Sequence, residues 1–267
     1  MIVDAELMAL LQRTSAGMSV GVAAAFRALD PDDPSRSEPL GSGAMVSWGP
    51  GRWVNRAIGA SIDDLGDDDL DRLESFYDSV GVPPSIEVVS WASPDLVARL
   101  VARGFVPIRF VDVLVIDASR PSTTPADVTV RSVDIAALPE WREAFVEGFA
   151  TTPEDERLNR ELARVLPDVP GSVHLIADVD GAVAGCGSVY PQGRVGWVGG
   201  GATRPAFRRR GIQAALLAER LKSARHAGCE IVAATANAGS ISSRNMQRVG
   251  FALTATVTVM TRRDGYG

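Results

Sequence analysis

The 267-residue sequence predicts a mixed α/β protein made of two similar units in tandem. Three observations carry this. Short apolar strand-like runs alternate with segments of helical periodicity along the whole chain. A strand, a short helix, a Gly-Phe pair and a second strand occur over 85–116 and again over 230–261, sharing Leu100-Val-Ala-Arg-Gly-Phe105 and Met246-Gln-Arg-Val-Gly-Phe251. Between them lies a segment rich in Pro, Ser and Thr that reads as a linker. The expected units are therefore 1–118 and 128–267, joined by 119–127.

Along the first unit, Leu7, Leu10 and Leu11 place a short amphipathic helix within 1–15, and 17–26 reads as strand or helix. Pro, Asp, Ser and Gly over Asp30–Gly43 predict a loop, followed by strands at 44–48 and 54–58 around Gly-Pro-Gly. Leu70, Leu73 and Tyr77 share one face of a helix within 63–77. Its entry is acidic, Asp67, Asp68 and Asp69, which suits the positive end of the helix dipole and repels a phosphate. A strand over 85–89, a helix over 93–103 with Pro94 in its first turn, and a strand over 110–116 complete the unit.

The second unit opens with a strand at 128–133. Helices follow at 138–149, where Trp141, Phe145 and Phe149 recur every four residues, and at 153–166. Strands at 173–179 and 182–190 are joined by Asp180-Gly181, a strong hairpin signal. After the strand 195–203 come a helix from about Gly211 to Ala227, a strand at 230–236, a helix at 241–248 and a last strand at 252–261.

The stretch that organises this unit is 199–217, where a strand ends, an arginine-dense turn follows and a helix begins. The first N–H groups of such a helix have no partner within it, and the dipole adds partial positive charge, so the turn is a ready anion site. Gly199, Gly200 and Gly201 are poor strand formers; they fit either close approach of a ligand to the backbone or a bulge.

Composition narrows the partners. Hydrophobic residues make up 46% and charged residues 22%, as in a folded water-exposed protein. No apolar run approaches the ~18 residues that span a bilayer, and no basic segment leads into an apolar core at the N-terminus, so no membrane association and a cytoplasmic location are expected. Cys186 and Cys229 are too few for a disulfide framework, and with the isolated His174 and His226 they make no metal site. Residues 1–118 hold 9 arginines against 18 acidic residues, net −9, and the remainder carries +3. Basic charge gathered around 204–225 suits one phosphate-rich ligand and excludes the broad basic face of a nucleic-acid binder.

Arg208, Gly211 and Gln213 resemble the Arg/Gln-x-x-Gly-x-Gly/Ala pyrophosphate loop of the GNAT acetyltransferase superfamily, with Gln213 where a small residue is usual. The second unit is similar to a GNAT domain over its full length, and the whole chain resembles tandem GNAT proteins in which one domain has lost its cofactor loop. The resemblance implies two tandem acyl-CoA N-acyltransferase folds and acetyl-CoA as donor. Its pyrophosphate is expected on Arg208, Arg209, Arg210, Gly211, Ile212, Gln213 and Ala214, and its pantetheine arm beside Gly201, Ala202 and Thr203. Asn237 and Asn245 fall where the superfamily lines the other side of the cofactor; as side chains they also suit helix caps.

Acetyl transfer to an amine needs a neutral nucleophile, a donor for the developing oxyanion and a proton for the leaving thiolate. The tyrosine that many GNAT enzymes use for that proton is replaced by Met246, and the strand 195–203 has no carboxylate. Among Tyr77, Tyr190 and Tyr266, Tyr190 is the candidate acid, and Glu147 the candidate base through water. The expectation is an acetyl-CoA-dependent N-acetyltransferase for a small-molecule amine, a monomer whose two units stand in for a dimer, or a homodimer. The alternative is a CoA-binding sensor or scaffold without transfer activity.

Overall fold

A computed structural model describes residues 4–121 and 127–263, and they fold into a mixed α/β architecture. In chain order the elements are α1 (Ala5–Leu29), β1 (Arg36–Leu40), β2 (Gly43–Ser47), β3 (Asn55–Ile58), α2 (Asp67–Ser79), β4 (Ser85–Val88), α3 (Pro94–Ala102), β5 (Phe105–Asp117) and β6 (Thr129–Ser132). They continue with α4 (Leu138–Phe149), α5 (Pro153–Val165), β7 (Val173–Val179), β8 (Ala182–Gln192), β9 (Val195–Thr203), α6 (Ile212–His226), β10 (Ile231–Asn237), α7 (Ile241–Val249) and β11 (Ala252–Arg262). The chain divides into two compact units. One holds the chain up to Val113 with Ala236–Gly239 and the part from Leu253 onward; the other holds Leu114–Thr235 and Ser240–Ala252. No described helix is long and apolar enough to cross a membrane.

In the first unit β1, β2 and β3 form an antiparallel meander, β3 pairs parallel with β4 at Ala57 and Ile86, and β4 pairs antiparallel with β11. Leu70, Leu73, Tyr77, Ile86, Leu96, Leu100 and Phe105 fill its core. The buried Tyr77 hydroxyl accepts from Val46 N at 3.1 Å and donates to Val46 O at 3.3 Å, fixing α2 on β2. The acidic entry of α2 is held by Arg103, whose guanidinium reaches Asp67 at 2.9 Å and Asp71 at 2.5 Å.

Three features differ from the expectation. The two readings for 1–26 merge into one helix, α1: Asp4 caps it through Leu7 N at 2.8 Å, and Trp48 Nε1 donates to Ser19 O at 2.9 Å from the expected ambiguous stretch. The expected loop 30–43 contains β1, an exposed edge strand in which only Leu40 is buried and Pro39 is tolerated because an edge need not donate every N–H. The last strand, expected to close the second unit, pairs with β4 of the first: Thr258 lies opposite Val88, and Ser85 Oγ and Thr261 Oγ1 are 2.9 Å apart. Most of the expected linker, residues 122–126, and Tyr266 lie outside the described residues.

In the second unit β6, β7, β8 and β9 are antiparallel in succession, and β10 pairs parallel with β9. Ile212, Ala215 and Leu216 of α6 pack on one face with Leu175, Ala177, Val179 and Ala184. Trp141 and Phe145 of α4, stacked at 5.4 Å, are fully buried. Both units thus contain a strand, a helix and a parallel strand in sequence, β3–α2–β4 and β9–α6–β10.

Candidate functional site

The site is built on β9. Cys186 pairs with Ala202, yet Ser188 pairs with Gly199, so β9 carries one residue more than β8 across that interval. Gly200 takes up the excess at φ +58°, a left-handed conformation suited to glycine, and the result is a β-bulge. Of the two sequence readings of the glycine run, the bulge is the one seen here. β10 pairs with β9 only over Val195–Trp197, although β9 continues to Thr203. Beyond Trp197 the two strands part, and the main-chain groups of β9 line an opening.

That opening is a cleft of about 700 Å³. Its walls are the end of α4 (Gly148, Phe149), the end of β9 (Gly201, Ala202, Thr203), the turn and start of α6 (Arg208, Arg209, Gly211 to Ala214) and one side of α7 (Ile241, Ser242, Asn245, Arg248). At the turn, Arg209 at φ +66° and Gly211 at φ +75° hold the backbone in left-handed conformations. Gly211 precedes α6 with no side-chain cap, and the first helical bond there runs from Ala215 N to Gly211 O at 3.0 Å. The N–H groups of Ile212, Gln213 and Ala214 are therefore the helix-start donors left to a ligand. Arg208 and Arg209 flank them. An uncapped helix start with two arginine side chains in the wall of the cleft fits a diphosphate.

Of the sequence-derived cofactor residues, Gly201, Ala202, Thr203, Arg208, Arg209, Gly211, Ile212, Gln213, Ala214 and Asn245 converge on the cleft. Arg210 does not: it turns to Asp180 at 3.1 Å and Asp127 at 3.4 Å, which hold its guanidinium even more firmly charged. Asn237 is an exposed residue at the end of β10, and the cap of α7 is Ser240, whose hydroxyl accepts from Ser243 N at 3.1 Å. Asn245 reaches across to α6, its Nδ2 donating to Gln213 Oε1 at 2.8 Å, while Arg248 donates to Asn245 Oδ1 at 2.6 Å.

Neither candidate for proton transfer lines the cleft. Tyr190 is 3% exposed on β8, and burial drives its hydroxyl well above the ordinary tyrosine range, against the opposing pull of Ser188. Glu147 is half-exposed and accepts from Arg204 at 2.7 Å. His174, read as isolated, sits in a buried chain in which Nε2 meets Ser172 Oγ and Nδ1 meets Ser188 Oγ, each at 2.8 Å. Burial lowers its pKa to about 4, so the ring is neutral at pH 7. Among the described residues no group of three or more His, Cys, Asp or Glu side chains is placed to hold a metal ion.

The sequence reading missed Arg220. It lies on α6 four residues after Leu216 and four before Ala224, in the buried stripe of that helix, and it lines the cleft while only 3% exposed. An arginine at an apolar stripe position was the available signal. Its Nε donates to Leu216 O at 3.1 Å, and desolvation lowers its pKa to about 10, leaving it charged at neutral pH.

Residues 136–251 match the model of the acetyltransferase (GNAT) family. No curated protein matches the chain in sequence. Among solved structures, a GCN5-related N-acetyltransferase from Kribbella flavida superimposes with a TM-score of 0.63 at 17% identity, over 92% of this chain and 96% of that one. One from Sphaerobacter thermophilus gives 0.57 at 20% identity, over 77% and 71%. A tandem GNAT protein from the clavulanic acid biosynthesis pathway gives 0.55 at 15% identity, over 73% and 68%. At these identities the likeness is one of fold.

Proposed function

We propose that this chain, whose residues 136–251 match the model of the GNAT acetyltransferase family, is an N-acetyltransferase that takes acetyl-CoA as donor and a small-molecule amine as acceptor. The observation that carries the reading is the cleft that joins the uncapped start of α6 to the parted edge of β9. When bound, the donor supplies an activated acetyl thioester. The N–H groups of Ile212, Gln213 and Ala214, with Arg208 and Arg209, hold the diphosphate. The main chain of Gly201 to Thr203 orients the pantetheine amides as an added strand would, and the N–H of Thr203, which points away from β8, serves the developing oxyanion; that of Ala202 is turned to Cys186.

Met246 is buried where the proton donor is expected, and Tyr190 and Glu147 stand outside the cleft lining. In this reading the residues of the cleft act chiefly by holding donor and amine together. The same observation favours the second reading, a CoA-binding protein without transfer activity. Thioester consumption over a panel of primary amines separates the two: tight CoA binding with no turnover on any amine selects the second, and absence of CoA binding overturns both.

A further inference from the structure

The guanidinium of Arg220 lines the cleft with no anionic partner among the described residues. Its Nε is engaged by Leu216 O, and its two terminal nitrogens are left without a carboxylate or carbonyl. Two glycines make room for it. A Cβ on Gly187 would come within 3.1 Å of Arg220 Cζ, and one on Gly201 within 3.1 Å of both terminal nitrogens. The strands β8 and β9 therefore present bare main chain to a cation that is itself almost fully buried. A buried charge is costly unless it is paired, and the wall that could supply a partner opens into the cleft.

Its place along α6 selects the partner. Arg220 follows the first residue of α6, Ile212, by eight positions, roughly 12 Å along the axis at about 1.5 Å per residue. The diphosphate site at the helix start is therefore separate from it. Both sites belong to the same helix, so the ligand that reaches both is the donor, entering phosphate-first at the turn and ending near the bulge. A single forked guanidinium matches the two oxygens of a carboxylate.

We propose that Arg220 is a specificity residue for the donor, which makes the cleft prefer acyl-CoA thioesters whose acyl group ends in a carboxylate, such as malonyl or succinyl, over acetyl or other uncharged acyl groups. This rests on the reading of the cleft as a CoA site and refines its donor, acetyl-CoA being accepted but not preferred. The carboxylate takes the two free nitrogens of Arg220 and neutralises the buried charge; an uncharged acyl group leaves it unpaired.

Calorimetric titration of the full chain with succinyl-CoA and with butyryl-CoA, similar in length and differing in the terminal carboxylate, tests this directly. The expected result is a preference of about tenfold or more for succinyl-CoA, in line with one charge-assisted hydrogen-bonded pair. In Arg220→Met the ratio falls toward one, and in Arg220→Lys, which keeps the charge without the fork, it is intermediate. The comparison in the unaltered protein stands even where a variant fails to fold. If butyryl-CoA and succinyl-CoA bind equally well to the unaltered protein, the proposal is overturned and the CoA site remains. If neither thioester nor CoA binds, the site reading itself fails, and this proposal with it.

Discussion

Gln213 and Asn245 are tied by a 2.8 Å hydrogen bond from Asn245 Nδ2 to Gln213 Oε1, so the long side chain of Gln213 bridges α6 and α7. The Gln213 main-chain N–H is untouched by this, because that side chain points to α7. Gln213→Ala is expected to change CoA affinity by no more than about threefold and to cost about 1 kcal/mol of stability, the ordinary worth of a hydrogen bond. Titration calorimetry and denaturant unfolding check the two halves. A tenfold loss of CoA affinity with unchanged stability would show that the side chain, not the amide, serves the phosphate.

The three consecutive arginines are not equivalent. Arg208 and Arg209 line the cleft, whereas Arg210 is neutralised by Asp180 and Asp127. Arg208→Ala is expected to weaken CoA binding about tenfold, as loss of a charge-assisted contact does, and to flatten its dependence on salt. Arg210→Ala should shift affinity less than about threefold. The double variant should match Arg208→Ala alone. Affinities measured at low and high salt decide it, and equal losses for the two single variants would contradict the geometry.

How much of this was legible in sequence depends on what each feature rests on. Helices α2, α4, α6 and α7 and the hairpin β7–β8 follow from local periodicity and turn residues, and their observed bounds fall within a few residues of the expected ones. β1 was not legible, since its Arg, Ser, Glu and Pro are held as a strand by β2 alone. The partner of β11 is likewise a tertiary choice; its alternating pattern suits any sheet edge. The uncapped turn into α6 could be read because backbone geometry follows from Arg-x-x-Gly entering a helix. The placement of Tyr190, Glu147 and Arg210 could not, since each is decided by burial or by a partner distant in sequence: Ser188, Arg204 and Asp180.

Gly148 brings α4 close against the cleft strand. A Cβ there would stand 2.5 Å from Ala202 Cβ and 3.2 Å from Thr203 N, both on β9 and neither able to swing aside. Gly148→Ala is therefore expected to cost about 1–3 kcal/mol, the range for overpacking a filled interior, and to weaken CoA binding by displacing the main chain proposed to hold the pantetheine. Thermal unfolding with and without CoA measures both. An unaltered melting temperature would mean that α4 and β9 are free to separate.

His174 sets an acid limit on the second unit. It is 8% exposed, bridges Ser172 and Ser188, and meets Trp141 edge-on at 5.0 Å between ring centroids. Its pKa is lowered from 6.5 to about 4 by burial, so the folded state binds the ring neutral while the unfolded chain takes up a proton first. Stability from this site is complete above pH 6.5 and is lost as pH falls from 6.5 toward 4, by about 3 kcal/mol over the window. His174→Gln keeps a donor and an acceptor without the titration. Between pH 6.5 and 5, before most carboxylates protonate, the unaltered protein should lose stability with a slope approaching one proton, about 1.4 kcal/mol per pH unit, beyond that of His174→Gln. Parallel slopes in denaturant unfolding across that interval would show that the ring can be protonated in place, and that Ser172 and Ser188 accommodate a cation.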